Sequence, residues 1–111
     1  MCGIAGIFAF DSNAPSTAEL NDMARSIKHR GPDDDGTFIS GPVGLSSTRL
    51  SIFDLSENGR MPLRDPESGF VIVHNGEVYN YREIREELGP EKFRTETDTE
   101  VIVKAYAKWA V

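Results

Sequence analysis

The chain has one cysteine, two histidines, fewer basic than acidic residues and no apolar run of membrane length. With Cys2 as its only cysteine it cannot form an internal disulfide, so disulfide-stapled secreted domains are excluded and a reducing compartment, the cytoplasm, is expected. No stretch approaches the roughly 18 consecutive apolar residues of a spanning helix, so no membrane association is expected. The apolar start through Phe10 has neither a basic flank nor a small-residue cleavage site and does not read as a signal peptide. With 12 Lys and Arg against 18 Asp and Glu, the net charge is −6, which disfavours a nucleic-acid binder with its basic face. His29 and His74 have no metal-ligand spacing with each other or with Cys2, so no metal is expected. Gly31 to Gly36 lacks the Lys-Ser/Thr that follows a phosphate loop, and Asp33-Asp34-Asp35 reads as a solvated loop. No cofactor is expected in this chain.

What is present is a soluble-type composition with well-marked elements. Residues 3–10 are apolar and bounded by turn residues, which predicts a buried strand. Ser16 and Glu19 form a capping-box pattern, and Leu20, Met23, Ala24 and Ile27 follow at helical spacing up to Gly31-Pro32. Residues 31–36 read as a loop. Residues 37–40, 43–47 and 49–53 read as short strands, the first two joined by Gly41-Pro42, and residues 56–68 as a long connection. Phe70 to Val73 is a strong strand signal. Asn75-Gly76 then predicts a hairpin returning through residues 77–81. Asn80 and Glu83 suggest a short helix to Leu88, and Thr97 with Glu100 a second capping box before an amphipathic helix bearing Val101, Ile102, Ala105, Tyr106 and Trp109. The expected class is α+β, with antiparallel sheet layers flanked by helices.

Four features could carry chemistry, and each has a plain structural alternative. Cys2 reads as a small buried thiol. With Met1 removed, it instead carries a nucleophile and an α-amine titrating near pH ~8, which can serve as its base. Asn75-Gly76 is a tight turn, and it is also a side-chain amide next to a glycine N–H, the donors of an oxyanion hole. Arg49 is a solvated strand-end charge or a bidentate partner for a carboxylate. Asp98 sits where a helix dipole favours an acid, or faces an ammonium group.

Five blocks in one order carry a resemblance: Met1-Cys2-Gly3-Ile4-Ala5-Gly6-Ile7-Phe8, His29-Arg30-Gly31-Pro32-Asp33, Arg49-Leu50-Ser51-Ile52, Asn75-Gly76-Glu77-Val78-Tyr79-Asn80 and Thr97-Asp98-Thr99-Glu100-Val101. Together they resemble the glutaminase domain of class II glutamine amidotransferases, of the asparagine synthetase type. The resemblance implies an αββα N-terminal-nucleophile sandwich, of which residues 1–111 form the N-terminal portion, incomplete and without the synthetase domain. It implies glutamine as substrate, attacked by Cys2, with Asn75 and Gly76 stabilising the oxyanion. Arg49 would hold the glutamine carboxylate, Leu50, Ser51, Ile52 and Phe53 would line the pocket, and Glu77 and Asp98 would meet the α-amino end. A C-terminal synthetase region or subunit is the expected partner, with a homo-oligomer left open. The alternative is a non-catalytic or truncated glutaminase-like module acting with a partner. Two positions depart from the family: Ser47 and Thr48 stand where histidine is frequent, and Met61-Pro62 stands where Gln-Pro is frequent.

Overall fold

The computed structural model describes residues 2–11, 13–31, 34–49 and 60–110. Strand β1 (Gly3–Phe8) leads to helix α1 (Thr17–Ser26). The capping box forms as its spacing predicts: Ser16 Oγ accepts from Glu19 N–H at 3.1 Å, and Glu19 Oε1 accepts from Ser16 N–H at 3.1 Å. Two of the helix's four orphan N-terminal donors concern this motif's neighbourhood, and the reciprocal pair fixes where the helix starts. Leu20 and Ala24 are buried, Leu20 completely, where α1 packs on the sheet.

Strands β2 (Asp34–Ser40) and β3 (Val43–Arg49) form the hairpin expected at Gly41-Pro42, and β1 adds antiparallel to the other side of β3. The order is β1-β3-β2, with β3 central. Two boundaries differ from the sequence reading. β2 begins at Asp34, inside the expected loop, because Asp34 and Asp35 pair with Arg49 and Thr48 across the ladder. β3 continues unbroken to Arg49, carrying four consecutive buried polar residues, Ser46, Ser47, Thr48 and Arg49. A central strand buried on both faces loses the alternation that marks a half-buried one.

Thr48 points toward α1, since its hydroxyl bonds the Ile27 carbonyl that closes that helix. The pleat therefore sends Arg49, Ser47, Leu45 and Val43 to the opposite face, with the ladder partners Ile4, Phe38 and Phe8. That face is apolar toward β1, and Ile4 and Phe8 remain 46% and 60% exposed.

A second, two-stranded sheet pairs β4 (Leu63–Arg64) with β5 (Val71–Ile72). Helices α2 (Tyr81–Leu88) and α3 (Asp98–Trp109) complete the order. The hairpin expected around Asn75-Gly76 is not formed. β5 takes its partner from upstream, through a turn closed by Asp65 N–H to Phe70 O and Gly69 N–H to Asp65 O, both 2.8 Å. Tyr81 opens a helix instead of ending a return strand, because Tyr81, Ile84, Arg85 and Leu88 give the segment a face to bury. Asn80 precedes α2 without a side-chain cap. Thr97 caps α3 by accepting from Glu100 N–H at 3.3 Å. Glu100 does not reciprocate; its carboxylate accepts from Arg94 and Thr95 N–H instead. Phe70 and Tyr106 meet edge-on, and with Val71, Ile72, Ile102 and Val103 they line an open groove of about 220 Å³. Among the described residues no helix is long and apolar enough to cross a membrane.

The second sheet is tied to α3 by a buried charge pair, Asp65 Oδ1 to Lys104 Nζ at 2.9 Å. Burial works against the Asp65 charge, but hydrogen bonds from Ser68 and Lys104, with the Lys104 charge, outweigh it and lower its pKa from 3.8 to about 2. A depressed carboxylate contributes stability that is complete above pH 3.8 and disappears as the pH falls toward 2. The shift corresponds to roughly 2 kcal/mol. Lys104→Met, which leaves Asp65 buried without its cation, should cost about 3 kcal/mol or more at pH 7. Urea unfolding at several pH values should show this deficit shrinking toward pH 2; a pH-independent deficit would rule out the charge pair as its source.

Candidate active site

Cys2 lies half-buried at the mouth of β1. Its carbonyl accepts from Arg30 Nε at 3.4 Å, and the amide that follows, Gly3 N–H, donates to Thr48 Oγ1 at 3.2 Å. Arg30 is delivered by a 3-10 turn, Lys28–Arg30, that lies directly on β3. Gly31 permits that approach: a Cβ there would overlap Arg49 N and stand 2.5 Å from the Thr48 carbonyl carbon.

Arg49 ends β3 and is only 6% exposed, which removes the solvated strand-end reading. Asp34 stands opposite it on β2, with its own carboxylate held in a fork by Arg60 Nε and Nη2 at 2.5 and 3.0 Å. On the other side the ladder ends where Gly3 pairs with Thr48, and Cys2 and Arg49 are the next residues along the two chains. By the pleat, Arg49 points away from α1. A half-buried cysteine and a buried arginine thus stand at one end of the sheet.

Asn75, Gly76 and Glu77 form an exposed arch whose two feet are bonded to the first turn of α3. At one foot His74 Nδ1 meets Thr99 Oγ1 at 3.2 Å, and His74 N–H donates to Met61 Sδ at 3.3 Å. At the other, Val78 N–H donates to Asp98 Oδ2 at 2.8 Å. Asp98 is 3% exposed. One of its oxygens therefore fixes the arch, a structural duty that the sequence pattern did not indicate. The turn in front of α3 is itself held by Glu100, which accepts from Thr95 N–H at 2.7 Å and Thr95 Oγ1 at 2.8 Å. The buried Thr95 amide is satisfied by this carboxylate, and the buried Thr97 amide by Thr95 Oγ1 at 3.2 Å.

The expected site residues fall into two groups. Cys2 and Arg49 are brought together by the three-stranded sheet. Asn75, Gly76, Glu77 and Asp98 are brought together by α3. Leu50, Ser51, Ile52 and Phe53 lie outside the described residues, as does Met1. Reading the sequence missed Thr48, His74 and Thr99 as structural partners of the site. The available signal was Ser46-Ser47-Thr48, three hydroxyl residues in a row between Leu45 and Arg49.

A thiol beside a buried guanidinium, with an arch of amide donors held separately, has the parts needed to attack and polarise a carbonyl on an anionic small molecule. The whole chain, residues 1–111, matches the family described as "Glutamine amidotransferase domain", and the protein belongs to that family. Among its relatives it is similar to asparagine synthetases. It is 44% identical over 126 residues to a Methanocaldococcus jannaschii protein carrying the provisional name asparagine synthetase (glutamine-hydrolyzing) 2, covering 97% of this chain and 24% of the relative. It is 42% identical to asparagine synthetase (glutamine-hydrolyzing) 2 of Bacillus subtilis, over 96% of this chain and 14% of the relative. With asparagine synthetase (glutamine-hydrolyzing) 1 of Arabidopsis thaliana it shares 35% identity, over 100% of this chain and 19% of the relative. The chain thus spans a quarter or less of the length of these relatives.

Proposed function

We propose that this chain is the N-terminal portion of a glutaminase domain that releases ammonia from glutamine, with Cys2 as nucleophile, for use by a synthetase region of the same protein or a partner subunit. The observation that carries this reading is the placement of Cys2 and Arg49 at the same end of the β1–β3 ladder, in a chain of the glutamine amidotransferase family. Asparagine is the product that the names of the relatives suggest. The domain is an αββα sandwich in this reading. The open apolar face bearing Ile4 and Phe8, and the groove between β5 and α3, support it, since one layer of a sandwich leaves such surfaces for the next to cover.

The chemistry runs in two halves. The α-amine of Cys2, freed by removal of Met1, takes the thiol proton as sulfur adds to the side-chain carbonyl carbon of glutamine. The carbonyl electrons move onto oxygen, and the Asn75 side-chain amide and Gly76 N–H stabilise that charge. The C–N bond breaks, the proton passes to nitrogen, and ammonia leaves a thioester on Cys2. Water adds to the thioester, the C–S bond breaks, and glutamate departs as the thiol is restored. Arg49 pairs with the substrate α-carboxylate, and Glu77 and Asp98 with its α-ammonium, beside the wall formed by Leu50, Ser51, Ile52 and Phe53. No cofactor takes part in these steps.

Substitutions at Asp98 test the assignment, because its two duties separate. Asp98→Asn removes the charge but keeps an oxygen for Val78 N–H. It should raise KM for glutamine by tenfold or more and leave kcat within about threefold, an ion-pair loss of ~1.5 kcal/mol or more. Asp98→Ala also frees the arch, so kcat should fall as well, by about tenfold. Glutamate release measured at varied glutamine concentration decides it. An unchanged KM in both variants would remove Asp98 from the substrate site.

A further inference from the structure

We propose that Thr48 is a positioning residue for the nucleophile: its buried hydroxyl fixes the Cys2–Gly3 peptide and thereby places the Cα that carries the thiol and α-amine of Cys2. The inference rests on Cys2 being the nucleophile.

Thr48 is fully buried, and its hydroxyl is used twice. It donates to the Ile27 carbonyl at 3.2 Å and accepts from Gly3 N–H at 3.2 Å. A hydroxyl has one proton. With that proton committed to Ile27, a lone pair is left facing Gly3, so the Gly3 amide has a single preferred direction. The peptide unit is planar, so fixing its N–H also fixes the plane that contains the Cys2 carbonyl. Arg30 Nε meets that carbonyl on the other side at 3.4 Å. Together the two bonds hold this peptide plane from both edges, which fixes the Cys2 Cα and the direction of its Cα–C bond, the point from which the amine and the side chain of Cys2 extend.

The site is built for this contact. A Cβ on Gly3 would stand 2.9 Å from Thr48 Oγ1 and 2.9 Å from Ile27 Cδ1, so only glycine lets the amide come this close. The neighbouring hydroxyls provide the contrast. Ser46 and Ser47 are also fully buried, yet among the described residues neither Oγ has a hydrogen-bond partner. In this run of three buried hydroxyls, Thr48's is the one bonded within the described residues, and it is bonded to the residue that follows the thiol. Misplacing a reacting group by about 1 Å costs roughly a hundredfold in rate, so a contact that sets the Cys2 peptide bears directly on turnover.

The test uses the full-length protein with Thr48→Val, Thr48→Ser and Ser46→Ala. Valine keeps the branched shape in the strand and removes both hydrogen bonds; serine keeps the hydroxyl. Kinetics are referred to the number of folded, thiol-bearing sites, counted by labelling after denaturation and by the folded fraction from unfolding curves. Thr48→Val should lower kcat by about ten- to a hundredfold with KM for glutamine within twofold, and should slow alkylation of Cys2 by iodoacetamide at pH 7 in parallel. Thr48→Ser should restore both to within a fewfold of the parent, and Ser46→Ala should behave as the parent. A residue that only stabilises the fold would lower the folded fraction and leave kcat and alkylation per folded site unchanged, which would overturn the proposal. So would Thr48→Ser failing as severely as Thr48→Val. If Thr48→Val does not fold, Thr48→Ala is compared with Thr48→Ser by the same criteria. Cys2→Ala separates the two claims: activity surviving in Cys2→Ala refutes the nucleophile itself, whereas activity lost there but intact in Thr48→Val refutes only the role of Thr48.

Discussion

Replacing Cys2 by alanine in a full-length protein carrying this segment should abolish glutamate release from glutamine while leaving the unfolding midpoint within about 1 kcal/mol of the parent in stability. Cys2 is the only cysteine among these 111 residues, so no other thiol of this segment can take its place. The expected structural cost is small because the side chain is half-buried at the mouth of β1 and lies outside the buried apolar set of Leu20, Ala24, Met61, Leu88, Val101 and Val103. Surface and partly exposed substitutions away from such a core usually change stability by about half a kcal/mol. The bonds that shape this corner, from Arg30 to the Cys2 carbonyl and from Gly3 to Thr48, involve backbone groups that alanine retains. Glutamate measured by a coupled assay, alongside a urea melt, gives both quantities. Continued turnover in the alanine variant would refute covalent catalysis by this residue.

Retention of Met1 should cost nearly as much. With Met1 attached, the nitrogen of Cys2 is an amide and has no basicity at neutral pH. General-base assistance is worth about 10²–10⁴-fold, so a form that cannot lose Met1 should fall at least about a hundredfold in kcat. Inserting a lysine between Met1 and Cys2 blocks removal while keeping the thiol, and mass spectrometry verifies both N-termini. The processed protein should also lose activity as the pH drops below the α-amine pKa, near ~8, because the protonated amine cannot accept the thiol proton. The blocked form should lack that limb of the pH profile. Equal turnover from the two forms would show that the base lies elsewhere.

These expectations bear on how much of the protein could be read from its residues. Local signals that name their own partner were dependable. Ser16 and Glu19 define each other's hydrogen bonds within one turn, and the capping box forms as spaced. Gly41-Pro42 joins two adjacent strands and needs nothing from the rest of the chain. Asn75-Gly76 failed as a hairpin because a turn signal says nothing about which strand is available to pair. Here β4 lies upstream and holds β5, while residues 81–88 gain more by burying a helical face. Thr97 and Glu100 were half right for a similar reason: the cap forms, but the carboxylate is taken by the Arg94 and Thr95 amides of the preceding turn, and Thr97 N–H turns to Thr95 Oγ1.

By itself the sequence determined the family, through blocks around Cys2, Arg49, Asn75-Gly76 and Asp98 that stand in one order along the chain. Only the tertiary structure decided how those residues are held. It took Arg49 out of water at the end of the central strand, where Ser46 to Arg49 are all buried, and it brought the end of β1 that follows Cys2 to the same place through a ladder that pairs Gly3 with Thr48. It bonded the arch of Asn75 and Gly76 to Asp98 and Thr99, and it joined Thr48 to both Gly3 and Ile27. Such contacts depend on strand register and on which face a residue occupies, and a shift of one residue would turn every side chain of β3 to the other side; that choice is fixed by packing across the whole sheet, which no local window of sequence contains.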